Sequence, residues 1–129
     1  MRRVLVVDDD HGIRVLAEDI LRDAGYDVTT IGSAREALHE SEARPPALLI
    51  LDLSLPDGEE DLLHELIAAR GAAPVLVLSG SVQIQERTAE LGAHASLAKP
   101  FDVDEFIRVV NALIAPDCEA TNPAVDPAS

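Results

Sequence analysis

Residues 47–58 read ALLILDLSLPDG, an unbroken apolar run that ends at one carboxylate, Asp52, and is followed by a Pro-Asp-Gly turn. Consecutive apolar residues without alternation are typical of a strand buried on both faces, as in a parallel sheet covered by helices. Such sheets bind ligands at the carboxyl ends of their strands. Because a buried carboxylate is costly without a cation or a chemical role, Asp52 is a candidate functional residue; a structural cap of the next turn is the alternative.

The rest of the chain repeats this pattern of strand and helix. Four more short apolar segments predict strands, at Val4–Val7, Val28–Ile31, Pro74–Leu78 and Ala95–Ala98. Apolar residues at helical spacing predict five helices, over Ile13–Arg22, after a cap at Ser33, and over Leu62–Ile67, Val82–Leu91 and Val103–Leu113. Strict alternation of buried strands with helices predicts a doubly wound α/β domain, in which helices cover both faces of a five-stranded parallel sheet.

Length, charge and composition limit the classes of function. The 129 residues suit one globular domain, expected over residues 1–115, and the Pro- and Ala-rich residues 116–129 are expected to form a disordered tail. A net charge of −14 disfavours nucleic acid as a partner, because binding to phosphates depends on Lys and Arg. No apolar run approaches the length of a membrane span, and a single cysteine fits a reducing compartment. We therefore expect a cytoplasmic protein without a membrane partner.

Polar side chains stand where four of the predicted strands end. They are Asp8 and Asp9 after the first strand, Asp52 after the third, Ser79 after the fourth and Lys99 after the fifth. Oxygen ligands without His or Cys suit a hard cation, so the carboxylates predict a magnesium site. A carboxylate beside such an ion can act as a nucleophile toward phosphorus, while a lysine and a hydroxyl stabilise the phosphoryl oxygens.

The sequence resembles the receiver domains of two-component response regulators over Arg3–Ala115. The matching segments are VLVVDDD at residues 4–10, GYDV at 25–28, LDLSLPDG at 51–58, VLSG at 77–80 and LAKPF at 97–101. Each segment is weak evidence alone, but together they occur in the family's order, each where a strand begins or ends. The resemblance implies a flavodoxin-like (βα)5 fold and a phosphorylation-dependent signalling function.

The resemblance also implies a role for each residue at the strand ends. Asp52 would be the phospho-acceptor. Magnesium would be bound directly by Asp9, Asp52 and the backbone carbonyl of Ser54, and through water by Asp8. Ser79 would be the switch hydroxyl and Lys99 the lysine that binds the phosphoryl group, with its bond to Pro100 cis as is usual in the family. The chain would catalyse only its own phosphorylation and dephosphorylation.

The implied partners are a sensor histidine kinase or phosphotransfer protein and a downstream protein that docks on the face following Ser79. Two residues depart from the family pattern. Ser96 stands where an aromatic switch residue is usual, and Glu60 where a second glycine is usual. The sequence therefore keeps a second interpretation open, that of a pseudo-receiver that binds partners without phosphorylation.

Purely structural roles and an enzyme of another class are the remaining alternatives. Asp10 suits a cap of the first helix better than a ligand. A flavodoxin-like cofactor binder or a magnesium phosphatase is disfavoured, because a Gly-rich phosphate loop and flavin-sandwiching aromatics are missing from the sequence. The histidines show no metal-ligand spacing, and we assign them no chemistry; they are His11, His39, His64 and His94.

Overall fold

A computed structural model describes residues 2–53, 55, 60–69, 73–80, 89, 92–99 and 101–114. Its strands are β1 (Arg3–Val7), β2 (Asp27–Ile31), β3 (Leu48–Asp52), β4 (Val75–Ser79) and β5 (Ala95–Ala98). Its helices are α1 (His11–Asp23), α2 (Ala34–Ala43), α3 (Glu60–Ala69) and α4 (Val103–Ile114). Of the predicted helix over Val82–Leu91 the structure describes Ala89 alone, which is helical. The Pro-Asp-Gly turn at 56–58 and the predicted tail at 116–129 lie outside the described residues.

The five strands form one parallel sheet in the order β2-β1-β3-β4-β5. This order is that of flavodoxin-like doubly wound folds, and the predicted fold class is confirmed. The switch point lies beside β1, because β1 pairs with both β2 and β3. Ligands of open parallel sheets bind at the carboxyl ends of the strands next to that point, which are here the ends of β1 and β3.

The core divides between the two faces of the sheet. Alternate residues of β1 point to opposite sides, since Val4 and Val6 pack with apolar residues of α1 and α4, whereas Leu5 and Val7 pack with those of α2 and α3. All five residues of β3 and of β4 are buried, which explains why these strands are apolar without alternation. Covering both faces leaves only the loop edges of the sheet open to ligands.

Helix ends follow the predicted signals. Asp10 caps α1, and its carboxylate accepts hydrogen bonds from the backbone N–H of Gly12 and Ile13 at 2.8 and 3.3 Å. After α1 ends, Gly25 has a φ of 96°, a conformation that favours glycine. None of the described helices is long and apolar enough to span a bilayer.

Candidate functional site

Three carboxylates converge at the carboxyl edge of the sheet. Asp8 directly follows β1, Asp9 begins the loop into α1, and Asp52 is the last residue of β3. One carboxylate oxygen from each lies within 4.8 Å of the others. Asp8 and Asp52 are fully buried, whereas Asp9 is exposed. Parallel pairing of β1 with β3 brings these residues together from positions more than forty apart in the sequence.

Lys99 supplies the positive charge of this acidic cluster, defined here as Asp8, Asp9 and Asp52. Its Nζ lies 2.8 Å from Oδ2 of Asp8 and 3.4 Å from Oδ1 of Asp52. Burial by itself lowers the pKa of Lys99, but the hydrogen bond to Asp8 and the charges of Asp52 and Asp8 together outweigh it, so the pKa is raised. Lys99 is therefore held as a cation between the two buried carboxylates.

Asp8 is bound on both carboxylate oxygens. Oδ2 accepts from Lys99, and Oδ1 accepts from the backbone N–H of Asp10 at 2.9 Å. Burial nevertheless raises the pKa of the Asp8 carboxyl, with a smaller contribution from the charge of Asp52, against the lowering effect of the Lys99 and Asp10 hydrogen bonds. The single ammonium of Lys99 therefore does not neutralise the three carboxylates of the acidic cluster.

A hard divalent cation could balance the remaining negative charge of the acidic cluster. The donor set is entirely carboxylate oxygen, which is the chemistry that Mg²⁺ prefers. Two of the carboxylates are buried and one faces solvent, so an ion could be held by protein oxygens and still keep water ligands. The predicted fourth ligand, the carbonyl of Ser54, lies outside the described residues.

Ser79 ends β4 beside the acidic cluster. The register pairs Asp52 with Leu78, so Ser79 is the next residue on the neighbouring strand. Its side chain is buried, and its carbonyl accepts the backbone N–H of Lys99 at 2.9 Å. The structure therefore brings Ser79 and Lys99 to the same edge of the sheet as the carboxylates. Pro100, whose preceding bond is usually cis in the family, lies outside the described residues.

The two departures from the family pattern occupy different places. Ser96 is half-buried in the middle of β5, three residues before Lys99. Glu60 is the first residue of α3. Gly80, which follows Ser79, is exposed, and a Cβ added there would meet nothing within 4 Å.

The side chain of His94 has a backbone contact that the sequence did not reveal. His94 accepts the backbone N–H of Val75 on its Nδ1 at 3.1 Å, at the start of β4 and therefore at the opposite edge of the sheet from the acidic cluster. All four histidines have exposed side chains.

Sequence reasoning missed one residue that contacts the site. Arg14 is on the polar side of the α1 pattern, yet its Nη1 donates to the backbone carbonyl of Asp8 at 2.8 Å. A signal was present, because Arg14 lies one turn after the Asp10 cap, and a long side chain there points back toward the start of the helix.

Comparisons with known proteins agree with this geometry. The family model described as "Response regulator receiver domain" matches residues 4–111. Sporulation initiation phosphotransferase F of Bacillus subtilis is 31% identical over 107 residues, which cover 81% of this chain and 86% of that protein. A CheY-like receiver domain protein from Methanospirillum hungatei superposes with a TM-score of 0.84 at 26% identity, covering 93% of this chain and 98% of that one.

A further solved structure is the receiver domain of the sensor histidine kinase PA1611 from Pseudomonas aeruginosa, which holds a magnesium ion in its active-site cleft. It has a TM-score of 0.78 and 26% identity, and the match covers 88% of this chain and 98% of that one. Several curated relatives are transcriptional regulatory proteins, and this chain spans about half of their length. The match of the family model to 108 consecutive residues, on a fold and a rim of carboxylates that suit it, places this chain in the receiver domain family of two-component response regulators.

Proposed function

We propose that this receiver domain accepts a phosphoryl group on Asp52 from a phosphohistidine donor, with magnesium bound at the acidic cluster. The observation that carries the proposal is the placement of Asp52, which is fully buried at the end of β3 with Lys99 Nζ at 3.4 Å and two further carboxylates within 4.8 Å. A buried carboxylate so close to a cation and a metal-binding set is poised for nucleophilic chemistry.

In the proposed reaction an oxygen of Asp52 attacks phosphorus, the new P–O bond forms as the P–N bond of the donor breaks, and the imidazole leaves. Magnesium, when bound, would neutralise charge on the transferring phosphoryl oxygens. Lys99 is close enough to Asp52 to bind one of those oxygens once it releases Asp8. Ser79 offers a hydroxyl from the adjacent strand end. Asp9, Asp52 and the backbone carbonyl of Ser54 would hold the metal directly, and Asp8 would hold it through water.

A curated relative and a solved structure give additional support to the proposal. The phosphotransferase of B. subtilis bears a name that states phosphoryl transfer, and the match covers 86% of its length. The PA1611 receiver domain binds magnesium in the corresponding fold. The proposed partners are a histidine kinase or phosphotransfer protein as donor and a downstream protein docked on the face that follows Ser79. We expect phosphoryl transfer and docking of the downstream protein to occur in the cytoplasm. We expect the domain to end near residue 115.

Labelling with acetyl phosphate and magnesium tests the function directly. Wild-type protein should gain one phosphoryl group at a bond that is stable in acid and labile in base, and Asp52→Asn should gain none, because an amide keeps the shape of the carboxylate but is not a nucleophile. Asp9→Ala should abolish magnesium binding in a calorimetric titration. Circular dichroism should show both variants folded.

A wild-type protein that is not labelled would favour the pseudo-receiver, which binds partners without phosphorylation. Labelling of Asp52→Asn to the wild-type level would place the acceptor elsewhere. Either result rejects the proposed role of Asp52.

A further inference from the structure

The carbonyl of Asp8 lies just beyond the end of the β1–β2 ladder. The last pair of that ladder is Val7 with Ile31, and the N–H of Asp8 still donates to the carbonyl of Ile31 at 3.0 Å. Continued parallel pairing would offer the carbonyl of Asp8 an amide from the next residues of β2. The chain instead leaves the sheet there and enters α2 after the cap at Ser33. Arg14 donates to this carbonyl from α1, at 2.8 Å.

Gly32 provides the space in which the Arg14 guanidinium sits. A Cβ added at Gly32 would lie 2.9 Å from Nη1 of Arg14, closer than real Cβ contacts, and 3.5 Å from Cζ, which is an ordinary contact distance. Gly32 does not have a positive φ, so its backbone conformation is open to any residue. What glycine contributes here is therefore room for the guanidinium. A methyl group would displace the flexible end of Arg14 and leave the backbone in place.

The atom that Arg14 binds belongs to the peptide unit that joins Asp8 to Asp9. Asp8 is fixed by its N–H, by both carboxylate oxygens and by its carbonyl, and Arg14 makes the last of these contacts. Asp9 has no such set of partners for its side chain in the described residues, and its exposed carboxylate depends on the backbone for its direction. Fixing this peptide unit therefore aims the Asp9 carboxylate toward Asp8 and Asp52.

We propose that Arg14, seated over Gly32, is a positioning residue that sets the affinity of the acidic cluster for a divalent cation by fixing the Asp8–Asp9 peptide unit. This inference rests on the proposed function, because it assumes that the cluster binds the ion. The positioning role and the positive charge of Arg14 predict opposite effects on magnesium affinity. As a cation near the cluster, Arg14 repels a second cation, so charge alone predicts that its removal tightens magnesium binding. A positioning role predicts the reverse.

Two variants separate position from charge. Gly32→Ala keeps the charge of Arg14 but displaces the guanidinium, and Arg14→Gln removes the charge and the hydrogen bond together. We expect each to weaken magnesium binding about tenfold, as is typical when a group that orients a metal ligand is lost. The double variant should bind no more weakly than Arg14→Gln, since Gly32→Ala acts only through Arg14. Arg14→Lys should bind magnesium more tightly than Arg14→Gln, because its ammonium nitrogen can still donate to the carbonyl.

The control is Arg22→Gln, which makes the same change of charge on α1 but at a residue bonded to Glu18 and to the carbonyl of Val28. Calorimetry with MgCl₂ gives the dissociation constant for each protein. A second readout needs no metal: in metal-free protein the amide resonances of Asp9 and Asp10 should shift in Gly32→Ala and in Arg14→Gln, and should keep their wild-type positions in Arg22→Gln.

Unchanged or tighter magnesium binding by Gly32→Ala and Arg14→Gln, with wild type still labelled on Asp52, overturns the positioning role and leaves the proposed function intact. A double variant that is much weaker than either single variant also overturns it, because Gly32 would then act by another route. If wild-type protein binds no magnesium and takes no phosphoryl group, the inference and the proposed function both fail.

Discussion

At the scale of one residue, the burial of Asp8 shows how the acidic cluster lowers the stability of the native state. Its side chain is completely buried beside a second buried carboxylate, and one lysine is shared between them. Burial favours the neutral acid, which is why the pKa of Asp8 is raised although two hydrogen bonds favour the ionised form. Without a metal ion the ionised cluster therefore lowers the stability of the native state.

This cost predicts a pH dependence for metal-free protein. A raised folded-state pKa means that the native state binds more protons than the unfolded chain above the ordinary value of 3.8. The stabilising contribution of neutral Asp8 is then present below pH 3.8 and is lost as pH rises through the folded-state pKa. We expect the free energy of unfolding of Asp8→Asn, minus that of wild type, to increase with pH across this window and then to level off.

Urea unfolding in EDTA at a series of pH values measures this difference. Asp19→Asn, at an exposed carboxylate of α1, is the control and should give a difference that does not follow the same curve. Saturating magnesium should raise the stability of wild type at neutral pH, because the ion binds only the native state. A difference for Asp8→Asn that stays constant from acid to neutral pH would contradict the assigned cause.

At the scale of elements, α2 contains two serines with opposite effects. Ser33 caps the helix, and its Oγ accepts the backbone N–H of Glu36 at 3.1 Å. Ser41 lies two turns later, is completely buried, and its Oγ is the one buried side-chain oxygen or nitrogen without a hydrogen-bond partner among the residues that the structure describes. The same side chain is therefore favourable at one end of the helix and unfavourable in its packed face.

We expect alanine substitutions at these two positions to change stability with opposite signs. Ser33→Ala removes the cap and should lower the free energy of unfolding by about 1 kcal/mol. Ser41→Ala removes an unsatisfied buried hydroxyl and introduces a better helix former, so it should raise that free energy by about 1 kcal/mol. Urea unfolding of the two variants checks both values. Destabilisation by Ser41→Ala would mean that the hydroxyl has a partner in solution, such as a water molecule.

The caps show which parts of the elements a sequence can predict. Asp10 and Ser33 were predicted as caps, and both are confirmed, because capping is local chemistry between a side chain and amides two or three residues away. The five strands were also predicted, with ends within a residue or two. Arg14 was missed as a contact of Asp8, because that bond depends on where β2 leaves the sheet and on the space above Gly32, which are tertiary features.

At the scale of the whole molecule, topology assembles the site. Lys99 and Asp8 are 91 residues apart in sequence, and they meet because all five strands are parallel and deliver their carboxyl ends to one edge. The sequence could predict this meeting, since the polar residues follow the apolar runs in register. It could not predict the exact pairing, in which Lys99 contacts Asp8 more closely than the proposed acceptor Asp52.

The serine at position 96 limits how a change at the acidic cluster could be transmitted through β5. It is a small polar residue on β5 where the family resemblance leads one to expect an aromatic, so movement of a ring cannot be the switch at this position. The described residues show a backbone connection and a side-chain connection at this edge of the sheet. Lys99 bonds to Ser79 through the backbone at 2.9 Å, and the ring of Phe101, two residues later, stacks on Phe106 of α4 with centroids 4.9 Å apart.

We therefore expect the response to phosphorylation to depend on Ser79 and Lys99. A two-state element shifts only by the interaction free energy that its trigger supplies, and a charge-assisted hydrogen bond to a phosphoryl oxygen supplies about 1.5 to 3 kcal/mol. If Asp52 is the acceptor as proposed, beryllofluoride with magnesium would stand in for the phosphoryl group there. Lys99 is the only lysine in the chain, so selective labelling of lysine gives one side-chain signal that reports its move from Asp8 to the new oxygens.

In wild-type protein, beryllofluoride should shift both that lysine signal and the amide resonances of residues 92–98. In Ser79→Ala the lysine signal should still shift, because Lys99 still meets the new charge, but the amide shifts in residues 92–98 should be largely lost. This separation of binding from response is expected only if the Ser79 hydroxyl links the two. If the amide shifts persist unchanged in Ser79→Ala, the switch depends on Lys99 and the nearby Phe101 instead. If wild-type protein shows no such shifts, this edge of the sheet does not respond to beryllofluoride. That result would favour a partner surface that acts without phosphorylation.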